Sequence, residues 1–169
     1  MCEVDKNKIE IIVADYENLQ NIDFDCGDDD LNEFLLENSF INLNNNLSVI
    51  YLCKYYDDII GYIAISSDSI SLEEKLEVRY PSYPAIKVGR LAIAKNYHRK
   101  GVGSYLLQWV DGLCLELQEQ IGLRFVSVDA YNDGKVIKFY NKNSFRALLK
   151  DNEDKENIPM YKDLHIYNE

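Results

Sequence analysis

The stretch from Val88 to Val110 constrains the fold most, because its pattern changes there from strand to helix across a short loop. Residues 88–94 alternate β-branched and small apolar residues without an acid, which predicts a buried strand. The segment after the loop predicts a helix ending near Gly122. Its apolar residues recur at helical spacing: Val102, Leu106, Val110, Leu113, Leu117 and Ile121, flanked by Leu107 and Cys114.

The loop itself combines glycines with basic residues at the point where the helix begins, in the order His98, Arg99, Lys100, Gly101, Val102, Gly103 and Ser104. Glycines let backbone N–H groups approach a ligand, and the first turn of a helix carries unpaired donors and a partial positive charge. The pattern predicts a pyrophosphate site. A dinucleotide fingerprint would need a third glycine and a Walker loop would need Gly-Lys-Ser/Thr, so the loop matches neither of these two phosphate motifs. A tight turn that requires two glycines is the alternative.

Length and composition indicate one domain over residues 1–169, because this length with 47% hydrophobic residues suits a single core. The chain has no apolar run of 18 residues and no apolar N-terminal segment, so we expect a cytoplasmic protein without a membrane partner. Four cysteines without a Cys-x-x-Cys pair and only two histidines predict no metal and no disulfide framework. We expect reduced, mostly buried thiols.

The charge distribution is uneven. The net charge of −11 argues against a general affinity for nucleic acid or anionic membranes. Residues 78–110 nevertheless contain no acid and hold six basic residues: Arg79, Lys87, Arg90, Lys95, Arg99 and Lys100. The basic window coincides with the predicted phosphate loop.

The remaining pattern predicts an α/β chain in which a mixed sheet carries helices on both faces. Strands are predicted at 9–14, 47–56, 59–66, 124–130, 145–150 and 160–167, and helices around Leu31–Leu35 and at 135–143. A longer excursion over 68–85 includes a charged, helix-like segment around 72–78. Excursions of this kind often lie beside a site.

The loop and its helix resemble the Q/R-x-x-G-x-G/A motif of the GNAT superfamily of N-acetyltransferases, with His98 at the Gln/Arg position. A second block, Val128–Asn132 followed by Phe139-Tyr140-Asn-Lys-Asn-Ser-Phe145, resembles the family's Asn and Phe-Tyr-x-x-x-Gly-Phe segments, with Ser144 replacing the glycine. A narrower resemblance links Phe24-x-Cys-Gly, Tyr80-Pro-Ser-Tyr-Pro84 and Gly89–Ile93 to the subfamily of toxins that acetylate aminoacyl-tRNA.

The resemblance implies a single-domain, mostly antiparallel mixed sheet and acetyl-CoA as cosubstrate. It implies that loop residues 98–104 and Asn132 bind the cofactor, and that a bulge at Leu91, Ala92 and Ile93 supplies backbone donors to the thioester carbonyl. Tyr140 is the implied proton donor to the departing thiolate, with a core tyrosine as the alternative. The general base stays open, with Asp68 and Asp129 as candidates.

The leading expectation is an acetyl-CoA-dependent N-acetyltransferase of a primary amine on a small molecule or a peptide terminus. The alternatives are a toxin-like acetyltransferase of aminoacyl-tRNA and a non-catalytic acyl-CoA-binding module. The net charge disfavours tRNA, because a polyanion needs several phosphate contacts beyond the cofactor loop. Retention of Tyr140 favours an enzyme over a binding module. A homodimer is left open.

Overall fold

Seven strands form one sheet in a computed structural model that describes residues 4–73, 76–149 and 155–167. The strands are β1 Ile9–Val13, β2 Val49–Tyr55, β3 Asp58–Ile70, β4 Tyr83–Ile93, β5 Phe125–Tyr131, β6 Arg146–Ala147 and β7 Asn157–Asp163. Their order in the sheet is β1-β2-β3-β4-β5-β7-β6. The pairs β1–β2, β2–β3, β5–β7 and β6–β7 are antiparallel, and β4–β5 is parallel. The predicted mixed, mostly antiparallel sheet is confirmed.

Three helices follow β1, and one further helix follows each of β4 and β5. They are α1 Tyr16–Leu19, α2 Asp29–Glu33, α3 Ser39–Asn44, α4 Val102–Leu117 and α5 Gly134–Lys142, and a π-helical turn, Phe34–Asn38, joins α2 to α3. Short 3₁₀ turns lie at Lys6–Lys8, Lys95–Tyr97 and Leu164–Tyr167. Asp28 caps α2 by accepting the Leu31 N–H at 3.0 Å, as expected for an aspartate in front of a helix.

The chain divides into two compact units. Unit 1 comprises residues 1–66 and 89–108, and unit 2 comprises residues 67–88 and 109–169, so β3, β4 and α4 contribute residues to both. The core of unit 1 is built on Leu35, Ile50, Leu52 and Tyr62, each at most 1% exposed. The Tyr62 hydroxyl donates to the Leu31 carbonyl at 2.8 Å, so burying this tyrosine leaves no donor unpaired.

The core of unit 2 combines aromatic packing with buried charges. Phe125 is fully buried and makes edge-on contacts with Tyr83 and Tyr161, whose centroids lie 6.0 and 5.6 Å away. Elsewhere in this unit, the Lys162 ammonium pairs with the Asp111 carboxylate at 2.6 Å, with only 4% and 6% of these side chains exposed. Such a pair needs further hydrogen bonds to offset its desolvation, and the Tyr167 hydroxyl donates one to Asp111 at 2.8 Å.

Some predicted boundaries are wrong. Helix α4 ends at Leu117, and Ile121 is 54% exposed instead of extending the apolar stripe, because a turn held by the Gln118 side chain on the Leu123 carbonyl, at 2.7 Å, replaces the last helical turn. β3 runs on to Ile70 and β4 begins at Tyr83, so the excursion is shorter than predicted.

The predicted helical segment around 72–78 is irregular where the structure describes it, and residues 74–75 lie outside the described part. The last two strands also differ from the prediction. The strand predicted over 145–150 is the two-residue β6, and residue 150 lies outside the described part. The final strand ends at Asp163, whose carboxylate accepts the His165 N–H at 3.0 Å and thereby starts a 3₁₀ turn.

Candidate active site

The last residues of β4, Ala92 and Ile93, pack closely against Gly61 of the neighbouring strand β3. Ala92 is 4% exposed and packs in the core of unit 1. A Cβ added to Gly61 would lie 2.9 Å from the Ala92 carbonyl oxygen and 2.8 Å from Ile93 Cδ1. Only glycine therefore lets β3 approach β4 this closely at residues 91–93, the segment predicted to polarise the thioester.

The loop after β4 is fixed by side chains that bind it back to unit 1. The Lys95 N–H donates to the Asp25 carbonyl at 2.9 Å, and the Lys95 ammonium pairs with the Asp25 carboxylate at 2.7 Å. His98 Nε2 lies 2.7 Å from the Ile93 carbonyl oxygen. Because a carbonyl only accepts, Nε2 carries the proton, and the imidazole ties the loop to the end of the strand. His98, which stands at the Gln/Arg position of the motif, therefore holds the loop against the end of β4 through this hydrogen bond.

The backbone of the loop takes the shape that an anion site needs. Arg99 and Gly101 have positive φ angles of 60° and 79°, which turn successive peptide groups in opposite senses. The Tyr105 N–H donates to the Gly101 carbonyl at 3.0 Å, so α4 begins there. Val102, 2% exposed, anchors the helix in the core, while Gly103 and Ser104 occupy its first turn and are half-buried. That turn contains no acid to compete with a phosphate.

Lys100 lies over the Tyr97 ring, 5.1 Å from its centroid, and the Tyr97 hydroxyl donates to Asp58 at 3.0 Å. The contact keeps an ammonium beside the loop without neutralising it. The structure therefore brings Leu91, Ala92 and Ile93 together with the loop His98–Ser104 in unit 1. Their assignment to cofactor binding stays a prediction.

Tyr140 and Asn132 lie in unit 2. Tyr140 is 7% exposed, and its ring packs edge-on against Phe139 and Phe145, with centroids 5.1 and 5.4 Å away. Within the described residues, no group hydrogen-bonds to its hydroxyl. Burial raises the pKa of Tyr140 above the usual tyrosine value, which keeps the phenol protonated.

The Asn132 amide donates to the Lys155 carbonyl at 2.8 Å, and the Asn132 N–H donates to the Glu156 carbonyl at 2.9 Å. In this arrangement Asn132 holds the segment that leads into β7. The predicted roles of Asn132 in cofactor binding and of Tyr140 in proton donation stay predictions.

Both candidate bases have partners. Asp129 forms an ion pair with Lys87, and the Ser127 hydroxyl donates to Asp68. Each of the two carboxylates is thus already engaged by a neighbouring side chain. Neither residue is therefore marked out for removing a proton from the acceptor.

A basic stripe on α5 was missed by the sequence reasoning. Lys135, Lys138 and Lys142 are exposed and lie within one face of the helix, at spacings of three and four residues. Tyr140 is on the opposite, buried face of the same helix. A windowed charge count could have found the stripe, because residues 134–150 contain no acid and five basic residues: Lys135, Lys138, Lys142, Arg146 and Lys150.

Three further features concern metal binding, the cysteine thiols and membrane-spanning helices. In residues 4–73, 76–149 and 155–167, no group of three His, Cys, Asp or Glu side chains could hold a metal ion. Cys26, Cys53 and Cys114 are free and buried, and burial raises the pKa of Cys53 and of Cys114 to about 12. Cys2 lies outside the described residues. None of the described helices has the length and apolar character needed to cross a bilayer.

Comparison with known proteins gives three findings. A family model described as an acetyltransferase (GNAT) domain matches residues 46–147. A tRNA-acetylating toxin of Mycobacterium tuberculosis is 26% identical over 114 residues, which are 65% of this chain and 69% of that protein. Among solved structures, AtaT complexed with acetyl-methionyl-tRNA has a TM-score of 0.81 at 20% identity, covering 95% of this chain and 97% of AtaT. AtaTR bound with acetyl-CoA has a TM-score of 0.79 at 21% identity, covering 96% and 97%.

Proposed function

The chain belongs to the acetyltransferase (GNAT) family, and we propose that it transfers the acetyl group of acetyl-CoA to the α-amine of an aminoacyl-tRNA. The family supports acetyl-CoA as the donor. The loop of unit 1 supports it too, because the first turn of α4 and the positive φ angles at Arg99 and Gly101 suit the binding of a pyrophosphate. Members of this family are N-acetyltransferases, and this chain is an enzyme of that class.

In the proposed reaction, the uncharged amine attacks the thioester carbonyl, and the C–S bond breaks as the amide forms. Backbone N–H groups of Leu91–Ile93 stabilise the oxyanion that develops on the carbonyl oxygen. As the C–S bond breaks, negative charge develops on the sulfur, and the Tyr140 hydroxyl, kept neutral by burial, donates a hydrogen bond to it. Because the thiol pKa of about 8.5 is below the ordinary tyrosine value of about 10, the proton that Tyr140 passes to the sulfur must be replaced from solvent. The proton that the amine loses passes to solvent, which closes the balance.

The choice of tRNA as the acceptor depends mainly on the basic stripe on α5, formed by Lys135, Lys138 and Lys142. Three exposed lysines on one helix face offer successive contacts to a phosphate backbone, whereas a small amine, cationic at neutral pH, would be repelled by them. The stripe lies on the helix that carries Tyr140, so it is tied to the proposed chemistry by chain position. The tRNA-acetylating relative and the AtaT complex with acetyl-methionyl-tRNA support the same acceptor.

A small-molecule or peptide amine is the second candidate, and the net charge of −11 favours it. The net charge is an average over the whole chain, however, and the acids are unevenly distributed along it. Residues 9–53 contain ten acids and no lysine or arginine: Glu10, Asp15, Glu17, Asp23, Asp25, Asp28, Asp29, Asp30, Glu33 and Glu37. Residues 134–150, which contain the basic stripe, have no acid, so the local charge that a phosphate backbone would meet there differs from the average of the chain.

The test is the salt dependence of acetyl transfer to aminoacyl-tRNA in a Lys135→Gln, Lys138→Gln, Lys142→Gln triple variant. If each lysine contacts one phosphate, the negative slope of log(kcat/KM) against log[salt] becomes shallower by roughly 2–3 in the triple variant. Lys54→Gln, on β2 in unit 1, is the control for removing a lysine outside the stripe. Its slope should equal that of the native protein within experimental error. An unchanged slope in the triple variant, with the fold intact, would remove the observation on which the tRNA acceptor depends.

A further inference from the structure

Helix α5 ends in a closed turn that begins at Tyr140. The Ser144 N–H donates to the Asn141 carbonyl at 3.1 Å. The Phe145 N–H donates to the Tyr140 carbonyl at 3.0 Å. These two bonds form a Schellman motif, in which the residue just past the helix takes a left-handed conformation, as Ser144 does with a φ angle of 68°. The motif therefore brings the backbone of Phe145 back to that of Tyr140.

The two ends of a Schellman motif frequently share an apolar contact, and here the contact is made by two aromatic rings. The Tyr140 and Phe145 rings meet edge-on with their centroids 5.4 Å apart, and both residues are buried. A ring in a close-packed interior turns only when its neighbours move. Phe145 therefore restricts the Tyr140 ring and with it the position of the Tyr140 hydroxyl.

Phe145 is held in turn by a buried cation on β7. The Lys162 ammonium lies 5.1 Å from the centroid of the Phe145 ring. A cation within about 6 Å of a ring centroid is attracted to the face of the ring, and the attraction is stronger when both groups are removed from water. Lys162 is 3% exposed and Phe145 is also 3% exposed, so solvent does not weaken this contact.

The ammonium is itself fixed by α4 and by the last 3₁₀ turn. Lys162 donates to Asp111 Oδ2 at 2.6 Å, and the Tyr167 hydroxyl donates to the same oxygen at 2.8 Å. A buried ion pair often adds no more stability than two apolar side chains of similar volume would. Stability alone therefore gives little reason to bury these charges, whereas a fixed position of the ammonium over Phe145 gives one.

We propose that Phe145 and Lys162 are positioning residues for the proton donor. They complete a series of contacts that runs from the Asp111 carboxylate to the Tyr140 ring, and all four residues belong to unit 2. The hydroxyl of Tyr140 is the one group of the series that takes part in the reaction. The proposal rests on the proposed function, because it assumes that this hydroxyl must meet the departing sulfur.

The first test removes the ring contact. Phe145→Leu keeps an apolar side chain but has no ring to pack against Tyr140. We expect kcat for acetylation of aminoacyl-tRNA to fall about tenfold or more, with the KM for acetyl-CoA nearly unchanged. In protein with isotope-labelled tyrosine rings, the flip rate of the Tyr140 ring should rise about tenfold or more. Tyr140→Phe identifies the Tyr140 signals by their disappearance.

Loss of a buried ring also lowers stability, and two variants separate the two effects. Ser144→Gly, added to Phe145→Leu, should recover stability, because glycine takes the φ angle of 68° without a steric cost, but it should not recover kcat. Phe125→Leu is the matched control, since the Phe125 ring contacts Tyr83 and Tyr161 instead. It should lower stability and leave both kcat and the Tyr140 flip rate unchanged.

A second test addresses the charges. Asp111→Leu combined with Lys162→Met removes both charges at similar volume, so the protein should fold, but no anchored ammonium lies over Phe145. We expect kcat to fall about threefold to tenfold and the Tyr140 ring to flip faster. Lys162→Arg should stay close to the native kcat. It keeps a cation for the ring and can donate to both Asp111 oxygens, of which Oδ1 is buried without a partner among the described residues.

The outcomes decide for or against the proposal. A native flip rate of Tyr140 in Phe145→Leu and in the charge-free double variant would overturn it, and so would recovery of kcat by Ser144→Gly. The flip rate needs no acceptor, so it is decisive even if aminoacyl-tRNA is not acetylated. If Tyr140→Phe loses activity while Phe145→Leu keeps it, the donor is right and the positioning is wrong. If the ring loosens and Tyr140→Phe still turns over at the native rate, the contacts hold the ring as inferred and the proton-donor role fails.

Discussion

Gly61→Ala should destabilise the protein and loosen the strand on which the acetyl group is proposed to bind. The added Cβ would meet the Ala92 carbonyl oxygen at 2.9 Å and Ile93 Cδ1 at 2.8 Å, whereas non-bonded carbons normally approach to about 3.5–4.0 Å. The isoleucine methyl can rotate away, but the backbone carbonyl cannot. Overpacking of this kind costs about 1–3 kcal/mol, and about 0.5–1 kcal/mol is recovered because alanine restricts the unfolded chain.

The net expectation is a loss of about 0–2.5 kcal/mol in the free energy of unfolding, centred on about 1 kcal/mol, which corresponds to roughly 2–4 °C in Tm for a chain of this length. Two other glycines serve as matched controls. Gly89→Ala would place a Cβ 3.7 Å from the Ala64 carbonyl oxygen, an ordinary contact, and should change stability by less than about 0.5 kcal/mol. A Cβ added to Gly112 in α4 would meet no described atom within 4 Å outside its own stretch of helix, so Gly112→Ala should stabilise by up to about 1 kcal/mol.

Urea unfolding of the three variants measures these differences, and calorimetric titration with CoA measures the effect on the strand. Gly61→Ala should weaken CoA binding at temperatures where the protein is fully folded, because residues 91–93 must shift to admit the methyl group. A Gly61→Ala protein as stable as Gly89→Ala, with native CoA affinity, would refute the close packing of β3 on β4 as the support of this strand.

Three further predictions concern unit 2. Tyr140→Phe should lower kcat on the order of 10²-fold or more with stability and CoA affinity nearly unchanged, and turnover at the native rate would return Tyr140 to a packing role. Lys162→Met should cost about 3–5 kcal/mol in urea unfolding, because the buried Asp111 carboxylate would lose its ion-pair partner, and a loss below 1 kcal/mol would contradict this. Burial alone would raise the pKa of Asp163, but hydrogen bonds from Arg124 and the His165 N–H lower it on balance. The stabilisation is therefore present above the unfolded pKa of about 3.8 and is lost as pH falls through the lower folded value, so Asp163→Asn should destabilise at pH 7, and its difference from the native protein in urea unfolding should shrink as the pH is lowered below that range.

The sequence predicts the strand, loop and helix around Val88–Val110 because the information there is local. Alternation, helical spacing and paired glycines are each readable within a few residues, and the positive φ at Gly101 agrees with the glycine. Helix α5 was predictable for the same reason, since its apolar residues recur on one face and Asp133 caps it through the Lys135 and Val136 N–H groups. Element ends were less predictable, because the end of α4 depends on a side-chain contact from Gln118.

Features that depend on contacts between distant residues could not be derived from local patterns. The Arg90 guanidinium packs against the Phe34 ring and lies near the Asp30 carboxylate, and these two residues are about 60 positions away in the chain. The His98 contact with the Ile93 carbonyl depends on the conformation of the whole loop. The lysine stripe of α5 is different, because it was visible in the sequence and was hidden by averaging the charge over the whole chain.

The most direct test of the central claim compares acceptors at a fixed acetyl-CoA concentration. The initial rate of labelled acetyl transfer is measured for total aminoacylated tRNA, the same tRNA after deacylation, and a panel of polyamines, amino-acid amides and peptide termini. The account predicts that aminoacylated tRNA has the highest kcat/KM and that deacylated tRNA accepts no label. A polyamine or other small amine that outpaces aminoacylated tRNA would contradict it.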